Sequence, residues 1–210
     1  MVCSLQRNRD YMNYETKQIT YFLNPGKENT DKTIELALEF AKKNNIKKIV
    51  VATYTGETAL KISEKSPGDI KIVAVTLHAG TSSTERKNIW ERNLEKLKAK
   101  GIECYRGTQA LSGVERGMGI RYGGVFPLMI FCDALKLFSE GTKVAVEVTL
   151  MATDAGLLSP DEDVIAIAGT SGGCDTAIVM RPNYTTNFFK LGIKEIICKP
   201  KQVGIIGGPR

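Results

Sequence analysis

Ile49-Val50-Val51-Ala52-Thr53-Tyr54-Thr55-Gly56-Glu57-Thr58-Ala59-Leu60 is the stretch that decides the fold. Its first half completes the run Lys48 to Thr53, β-branched and uninterrupted, which predicts a strand covered on both faces. Its second half opens a helix through Ala59, Leu60 and Ile62, ended by Pro67-Gly68. A buried strand that turns directly into a helix is the unit from which parallel α/β sheets are built.

The same unit recurs on both sides. Upstream, Ile19 to Leu23 is a short strand broken by Asn24-Pro25-Gly26. Asn29 or Thr30 then caps a helix whose Ile34, Ala37, Leu38 and Ala41 share one face at 3.6-residue spacing. Downstream, Ile70 to Leu77 predicts the next buried strand, and Ser82 with Glu85 forms a capping box for a helix carrying Ile89, Trp90, Leu94 and Leu97. Gly101 stops that helix, and Ile102 to Tyr105 is a fourth strand. The glycine-rich region Gly107 to Gly124 has little period and reads as a loop with a short helical piece. Val125 to Glu140 and Thr142 to Asp154 predict two helices, the second stopped by Gly156. Val164 to Ala168 and Thr176 to Met180 read as strands on either side of Gly169-Thr170-Ser171-Gly172-Gly173, and Ile193 to Cys198 as a last strand. Met1 to Lys17 is polar and aperiodic, which predicts a weakly ordered arm, and Val203 to Arg210 is a tail. The expected architecture is α/β: a three-layer α/β/α domain over residues 19–210, with a mostly parallel central sheet of about five strands, after an arm over residues 1–18.

Composition removes several function classes. A chain of 210 residues with 42% hydrophobic content can bury its core as one domain. The net charge of +6 is spread along the chain in runs no longer than a pair such as Lys42-Lys43, so no nucleic acid partner is expected. The longest nearly uncharged stretch, Gly123 to Cys132, falls short of the ~20 residues a bilayer span requires, and no apolar signal core begins the chain. The expectation is therefore no membrane and a cytoplasmic location. Five cysteines without Cys-x-x-Cys spacing read as reduced thiols rather than disulfides or a zinc knuckle. His78 is the single histidine, which excludes a metal site built from two imidazoles and leaves a Ser-His-Asp triad only through that residue.

Parallel strands send their following loops to one edge of the sheet, where open α/β domains bind ligands near the reversal of strand order. Those loops here are Pro25-Gly26-Lys27-Glu28-Asn29-Thr30, Tyr54-Thr55-Gly56-Glu57-Thr58 and His78-Ala79-Gly80-Thr81-Ser82. Each joins hydroxyls and a glycine to a helix start, where free backbone N–H groups and the helix dipole favour an anion such as phosphate. Gly169 to Gly173 would add a further wall of N–H donors. Blander readings stand beside these: Thr-x-Thr-Gly as turn and capping chemistry, the 169–173 glycines as a hairpin turn, and His78 as a hydrogen-bonded structural residue, which is favoured over a catalytic one. Gly-x-x-x-x-Gly-Lys-Ser/Thr is absent, so there is no Walker A site, and Gly117-x-Gly119 follows no clear strand. Glu147 and Asp154, seven residues apart on one predicted buried helix face, need either structural partners or a ligand.

The Thr53–Thr58 loop, followed by Ile70 to Thr76, resembles the C-terminal domain of pyruvate kinase, where a strand ending in Thr-x-Ser-Gly-x-Ser/Thr precedes a helix. The resemblance resumes at Gly156-Leu157-Leu158, Asp161 to Gly169, Gly172-Gly173 and Thr176. In pyruvate kinases that take a sugar bisphosphate effector the first loop holds a phosphate, which implies that role for Thr53, Thr55, Gly56 and Thr58. Glu57 stands where some members carry a basic residue, and the closing loop lacks the Trp and Arg of certain members, which argues against a sugar bisphosphate. The catalytic barrel and its motifs do not appear, so pyruvate kinase activity is not expected.

From Tyr21 onward the chain is also similar to a small stand-alone, mainly archaeal family of this fold. The motifs that carry this are Pro25 to Thr30, Leu111-Ser112-Gly113-Val114-Glu115-Arg116, Val146 to Gly156, Asp175-Thr176-Ala177 and Asn187-Phe188-Phe189. That resemblance implies flavin mononucleotide (FMN) at the sheet edge. The phosphate end would rest on Thr53 to Thr58, with Lys27 and Asn29 beside it. Tyr54, His78, Met151 or the Gly169, Thr170, Ser171, Gly172 and Gly173 backbone would line the ring slot. Thr76, Gly80, Ser112 and Gly113 complete the expected site. No residue is assigned to catalysis. The leading expectation is a protein that binds a phosphorylated small molecule, as an FMN-dependent oxidoreductase if an enzyme; the alternative is a non-catalytic phosphometabolite sensor. A homo-oligomer stays open.

Overall fold

The computed structural model describes residues 14–80 and 83–202. Most of the expected arm, the Ser82 cap and the 203–210 tail lie outside the described residues. Thirteen elements follow one another: β1 (Thr20–Phe22), α1 (Thr30–Lys43), β2 (Lys48–Ala52), α2 (Glu57–Lys65), β3 (Lys71–Thr76), α3 (Thr84–Ala99), β4 (Glu103–Arg106), α4 (Val114–Tyr122), α5 (Pro127–Lys136), α6 (Glu140–Asp154), β5 (Val164–Ala168), β6 (Thr176–Arg181) and β7 (Gly192–Pro200). The sheet is wider than the five strands expected. All seven predicted segments enter it, in the order β1-β7-β6-β5-β2-β3-β4. Every neighbouring pair is parallel except β5 with β6 and β6 with β7, so β6 alone is reversed. Antiparallel neighbours need no crossover helix, which lets β5, β6 and β7 widen the sheet within a short length of chain.

Alternation along the strands divides the core in two. Ile49 and Val51 of β2, Ile72 and Ala74 of β3, and Ile165 and Ile167 of β5 meet Ile34, Ala37, Ala59, Ile62, Trp90 and Leu97 from α1, α2 and α3. Val50, Val73, Val75, Val164, Ala166 and Ile178 face the other way, onto Cys132, Leu135, Ala145, Val148 and Leu150 of α5 and α6. Because β2 and β5 are buried on both faces, their sequences are continuous apolar runs rather than alternating ones. The result is the three-layer α/β/α arrangement.

The middle of the chain departs from its expected boundaries. Val125 to Glu140 is not one helix: α5 ends at Lys136, and Ser139 caps α6 by accepting the Thr142 N–H at 2.9 Å. Helix α3 is capped by Ser83, whose Oγ accepts from Arg86 N at 3.3 Å. Helix α4, the expected short helical piece, buries none of its residues. Helix α6 is the opposite, buried along nearly its whole length, and its polar side chains are satisfied inside it. Thr149 and Thr153 donate to the carbonyls four residues back, at 2.8 and 2.7 Å. Among the described residues no single helix is long and apolar enough to cross a membrane; α4 and α5 meet that criterion only as a pair bent by 108°.

Candidate functional site

Strand order reverses between β2 and β5, and there a cleft of about 560 Å³ opens at the carboxyl edge of the sheet. Three connections wall it. The first follows β2. Thr53 continues the ladder by donating its N–H to Val75 O at 3.0 Å, and its Oγ1 accepts the Gly56 N–H at 2.9 Å. Gly56 has φ +87°, the left-handed region, which turns the chain straight into α2. Asn93 of α3 donates to Thr55 O at 2.9 Å, and Thr76 of β3 donates to Tyr54 O at 3.5 Å. The loop is thus fixed from two neighbouring elements before any ligand arrives. Gly56, at the N-cap of α2, has no side chain to cap it; the Glu57 N–H donates to Thr55 Oγ1 at 3.4 Å, and the N–H groups that follow in the first turn begin the helix at the cleft.

The second wall is the turn after β1. The Gly26 N–H donates to the fully buried Asp175 carboxylate at 3.0 Å, and Asn29 Nδ2 donates to Asn24 O and Gly26 O at 2.9 and 3.2 Å. The third wall is the β5–β6 turn, closed by Asp175 N donating to Ala168 O at 3.1 Å. Both readings of its glycines apply: it is a hairpin turn and it also lines the cleft. Gly173 is required there, because a Cβ would stand 2.3 Å from Thr30 Oγ1 and 2.8 Å from Lys27 Cα.

Charge in the cleft is mixed, with Lys27, Lys61 and Arg86 beside Glu28, Asp31 and Glu57. Asp31 is paired with Lys65 at 2.8 Å and with Lys61 at 3.9 Å; the Lys65 hydrogen bond, then the Lys61 charge, hold its carboxyl below the usual range. Lys27 and Arg86 also line the cleft, as do Glu28 and Glu57, and among the described residues none of these four is in an ion pair. The Arg86 guanidinium lies over the Tyr54 ring, 4.8 Å from its centroid. The arrangement puts the start of α2 in one cleft with Lys27 and Arg86, neither of them in an ion pair, and with the carboxylates of Glu28 and Glu57.

Lys27, Thr53, Tyr54, Thr55, Glu57, Thr58, Gly169, Gly172 and Gly173 therefore line one cleft. Gly56 shapes its loop, but its missing side chain faces α3, where a Cβ would stand 2.8 Å from Leu97 Cδ1. Asn29 and Thr76 brace loops, and Thr170 and Ser171 belong to the hairpin turn without being among the lining residues. His78 accepts the Gly80 N–H at 3.2 Å through Nδ1, and neither residue lines the cleft. Met151 and Gly113 instead line a second pocket, of about 380 Å³, beneath the 107–113 loop. Ser112 stands beside it and donates to Glu147 at 3.4 Å. Glu147 has structural partners: Lys143 Nζ at 2.6 Å and the Leu111 N–H at 3.0 Å. Asp154 is exposed rather than buried and accepts from Thr185 N and Oγ1 at 3.0 and 2.7 Å. Lys61, Arg86 and Val144 were not expected at the cleft. Arg86 was in principle findable, one turn into the helix that follows the third loop.

Cys174 sits directly behind the glycine turn and is fully buried. Burial pushes its thiol far above the ordinary range, and Sγ contacts the Thr30 carbonyl at 3.7 Å. It is not an activated thiolate.

A mostly parallel sheet covered on both faces, with a ligand-sized cleft at its switch point, defines an open α/β domain of the kind that takes small molecules at its carboxyl edge. The chain belongs to the pyruvate kinase alpha/beta domain family, whose model matches residues 31–180. It is similar to a pyruvate kinase from Cryptosporidium parvum at 20% identity, covering 73% of this chain and 23% of that one with a TM-score of 0.39. The Cryptosporidium parvum pyruvate kinase in complex with ADP gives 21%, 73%, 24% and 0.39. NMN synthetase from Francisella tularensis gives 12%, 66%, 52% and 0.37. The chain spans about a quarter of the length of the pyruvate kinases it matches.

Proposed function

We propose that the switch-point cleft binds a phosphorylated small molecule, with its phosphate at the start of α2. The observation that carries this is that Lys27 and Arg86, neither of them in an ion pair, line one cleft with the start of α2, whose loop is already fixed by Asn93 and Thr76. A cleft of about 560 Å³ lies within the ~300–1,000 Å³ usual for small-molecule sites.

Flavin mononucleotide is the ligand that the family resemblance implies, and the donor set suits its phosphate end: the Thr53–Thr58 loop, Lys27 and Arg86. Ala52, Tyr54, Val144 and the Gly172-Gly173 backbone supply the apolar and flat lining that a ring system needs. When bound, flavin supplies hydride chemistry itself, and the protein holds and orients it. A second reading is a non-catalytic phosphometabolite sensor acting in the cytoplasm, supported by membership of the pyruvate kinase alpha/beta domain family without the rest of a pyruvate kinase in this chain.

Mass spectrometry of the small molecule released on denaturing the purified full chain tests the proposal. A phosphorylated compound is expected, and Arg86→Ala and Lys27→Ala each weaken its rebinding about tenfold, as loss of one charge-assisted contact should. Flavin absorbance that bleaches with a reductant and recovers with an acceptor supports the oxidoreductase reading; a redox-silent phosphate compound supports the sensor. If no phosphorylated compound is released, and the chain binds neither FMN nor inorganic phosphate in titration, the proposal fails.

A further inference from the structure

We infer that the outer face of α4 and α5 is the surface through which two copies of this chain pair about a two-fold axis. No residue of either helix lines the switch-point cleft, so the inference stands apart from the function of that cleft. Helix α5 is apolar on both of its faces. Leu128, Cys132 and Leu135 follow i, i+4, i+7 spacing and turn toward the core. Ile130, Ala134 and Leu137 repeat that spacing on the opposite side, where Ile130 is 62% and Leu137 75% exposed. A helix that is apolar all round belongs inside an assembly. Helix α4 has the same need: it is 9 residues long, contains Gly117 and Gly119, and buries none of its residues. So short a helix with two glycines gains little from propensity and holds its shape through packing.

Area and charge both select a second copy as the occupant. Val114, Ile120, Tyr122, Val125, Ile130 and Leu137 are all more than half exposed, and at ~100 Å² each they offer roughly 600 Å² of apolar surface. One side of a standard interface is ~800 Å², and homodimer interfaces are ~65% apolar, so a pair needs about 500 Å² from each copy. Around this surface α4 presents Arg116 and Arg121, exposed and in no ion pair among the described residues. The α5 arm presents Asp133, 65% exposed, with only Lys136 beside it at 3.2 Å. In an isologous pair every contact occurs twice, so the basic arm of each copy meets the acidic arm of the other. The surface is complementary to itself. A lipid surface suits it less: a helix lying on a membrane opposes its apolar stripe with a polar face rich in cations, whereas the other face of α5 is seated on the core and the exposed charge beside its stripe is acidic.

Sedimentation equilibrium of the full chain tests this. A dimer with a dissociation constant of about 10 µM or tighter is expected. Ile130→Asp and Leu137→Asp, at exposed positions and each checked for an unchanged circular dichroism spectrum, raise that constant at least tenfold. Arg121→Glu raises it at least fivefold, and adding Asp133→Lys to the same chain brings it back toward the original value. That rescue separates pairing between copies from a general effect of charge on the fold. A chain that stays monomeric, a dimer indifferent to both aspartate variants, or no rescue by the second charge reversal overturns the inference. So does a monomer that cosediments with phosphatidylserine vesicles, which would assign the surface to lipid.

Discussion

The Thr30 hydroxyl accepts the backbone N–H of Cys174 at 3.0 Å and donates to Lys27 O at 2.6 Å. One side chain at the head of α1 therefore fastens the glycine turn after β5 to the turn after β1, two walls of the cleft. Thr30→Val keeps the volume and removes the acceptor, leaving a buried N–H without a partner at about 1–3 kcal/mol. A lower melting temperature and weaker phosphate binding are expected together. If binding weakens and stability does not, the hydroxyl touches the ligand instead.

Gly56 and Leu97 form a second such relationship. A side chain at Gly56 meets both the φ of +87° and Leu97 Cδ1, so Gly56→Ala should cost about 1–3 kcal/mol of stability even without ligand. A double-mutant cycle separates the causes: in a Leu97→Ala background the Gly56→Ala penalty shrinks to the backbone strain. Additive losses would show that the contact with α3 contributes nothing. Loss of binding in Gly56 variants is accordingly no measure of ligand contact.

Burial pushes the Cys198 thiol up to about 12 and Cys174 higher still. Thiolate is the reacting species, so alkylation of both by iodoacetamide at pH 8 should be negligible in the native protein and rapid in denaturant. Cys174→Ser should retain phosphate binding. Fast native labelling at Cys174 that ligand suppresses would contradict this.

Asp163 accepts from Arg181 Nε at 2.6 Å and Lys194 Nζ at 2.5 Å. Burial pushes its carboxyl up, but the Lys194 and Arg181 hydrogen bonds outweigh that and hold it below the usual range. A carboxyl lowered by folding stabilises the protein above its unfolded pKa of about 3.9 and loses that contribution as pH falls through the folded value. Asp163→Asn should flatten the acid limb of the stability profile below about pH 4. At neutral pH it should cost about 1 kcal/mol or less, because the group is partly solvated. An unaltered acid limb would show the pairing to be energetically idle.

The fold was legible because Ile49 to Ala52 and Val164 to Ala168 are unbroken, largely β-branched apolar runs of strand length, as a doubly covered sheet requires. Strand direction was not written there. Thr176 to Arg181 reads the same in either sense, and its reversal follows from a hairpin turn that the glycines permit without requiring. The cleft loops were legible from hydroxyl and glycine spacing near helix starts. Arg86, Lys61 and Val144 were not, because each reaches the cleft from a helix whose rotation is set by packing. The sequence also placed Met151 and His78 near the β2 loop; Met151 lies two turns along α6 from Val144 and lines the second pocket instead, and His78 turns onto its own loop at the Gly80 N–H.

The lone reversed strand has a kinetic consequence. Strands β5, β6 and β7 form an antiparallel meander in which each partner is the next strand along the chain, whereas β1 reaches β7 only across nearly the whole described sequence, Thr20 opposite Cys198. Local pairings close small loops and form fast; distant ones wait. The 164–200 region should therefore gain amide protection early in refolding, and β1 late. Lys27 comes to the cleft only when β1 docks, so the capacity to hold an anion should be the last property the chain acquires as it folds.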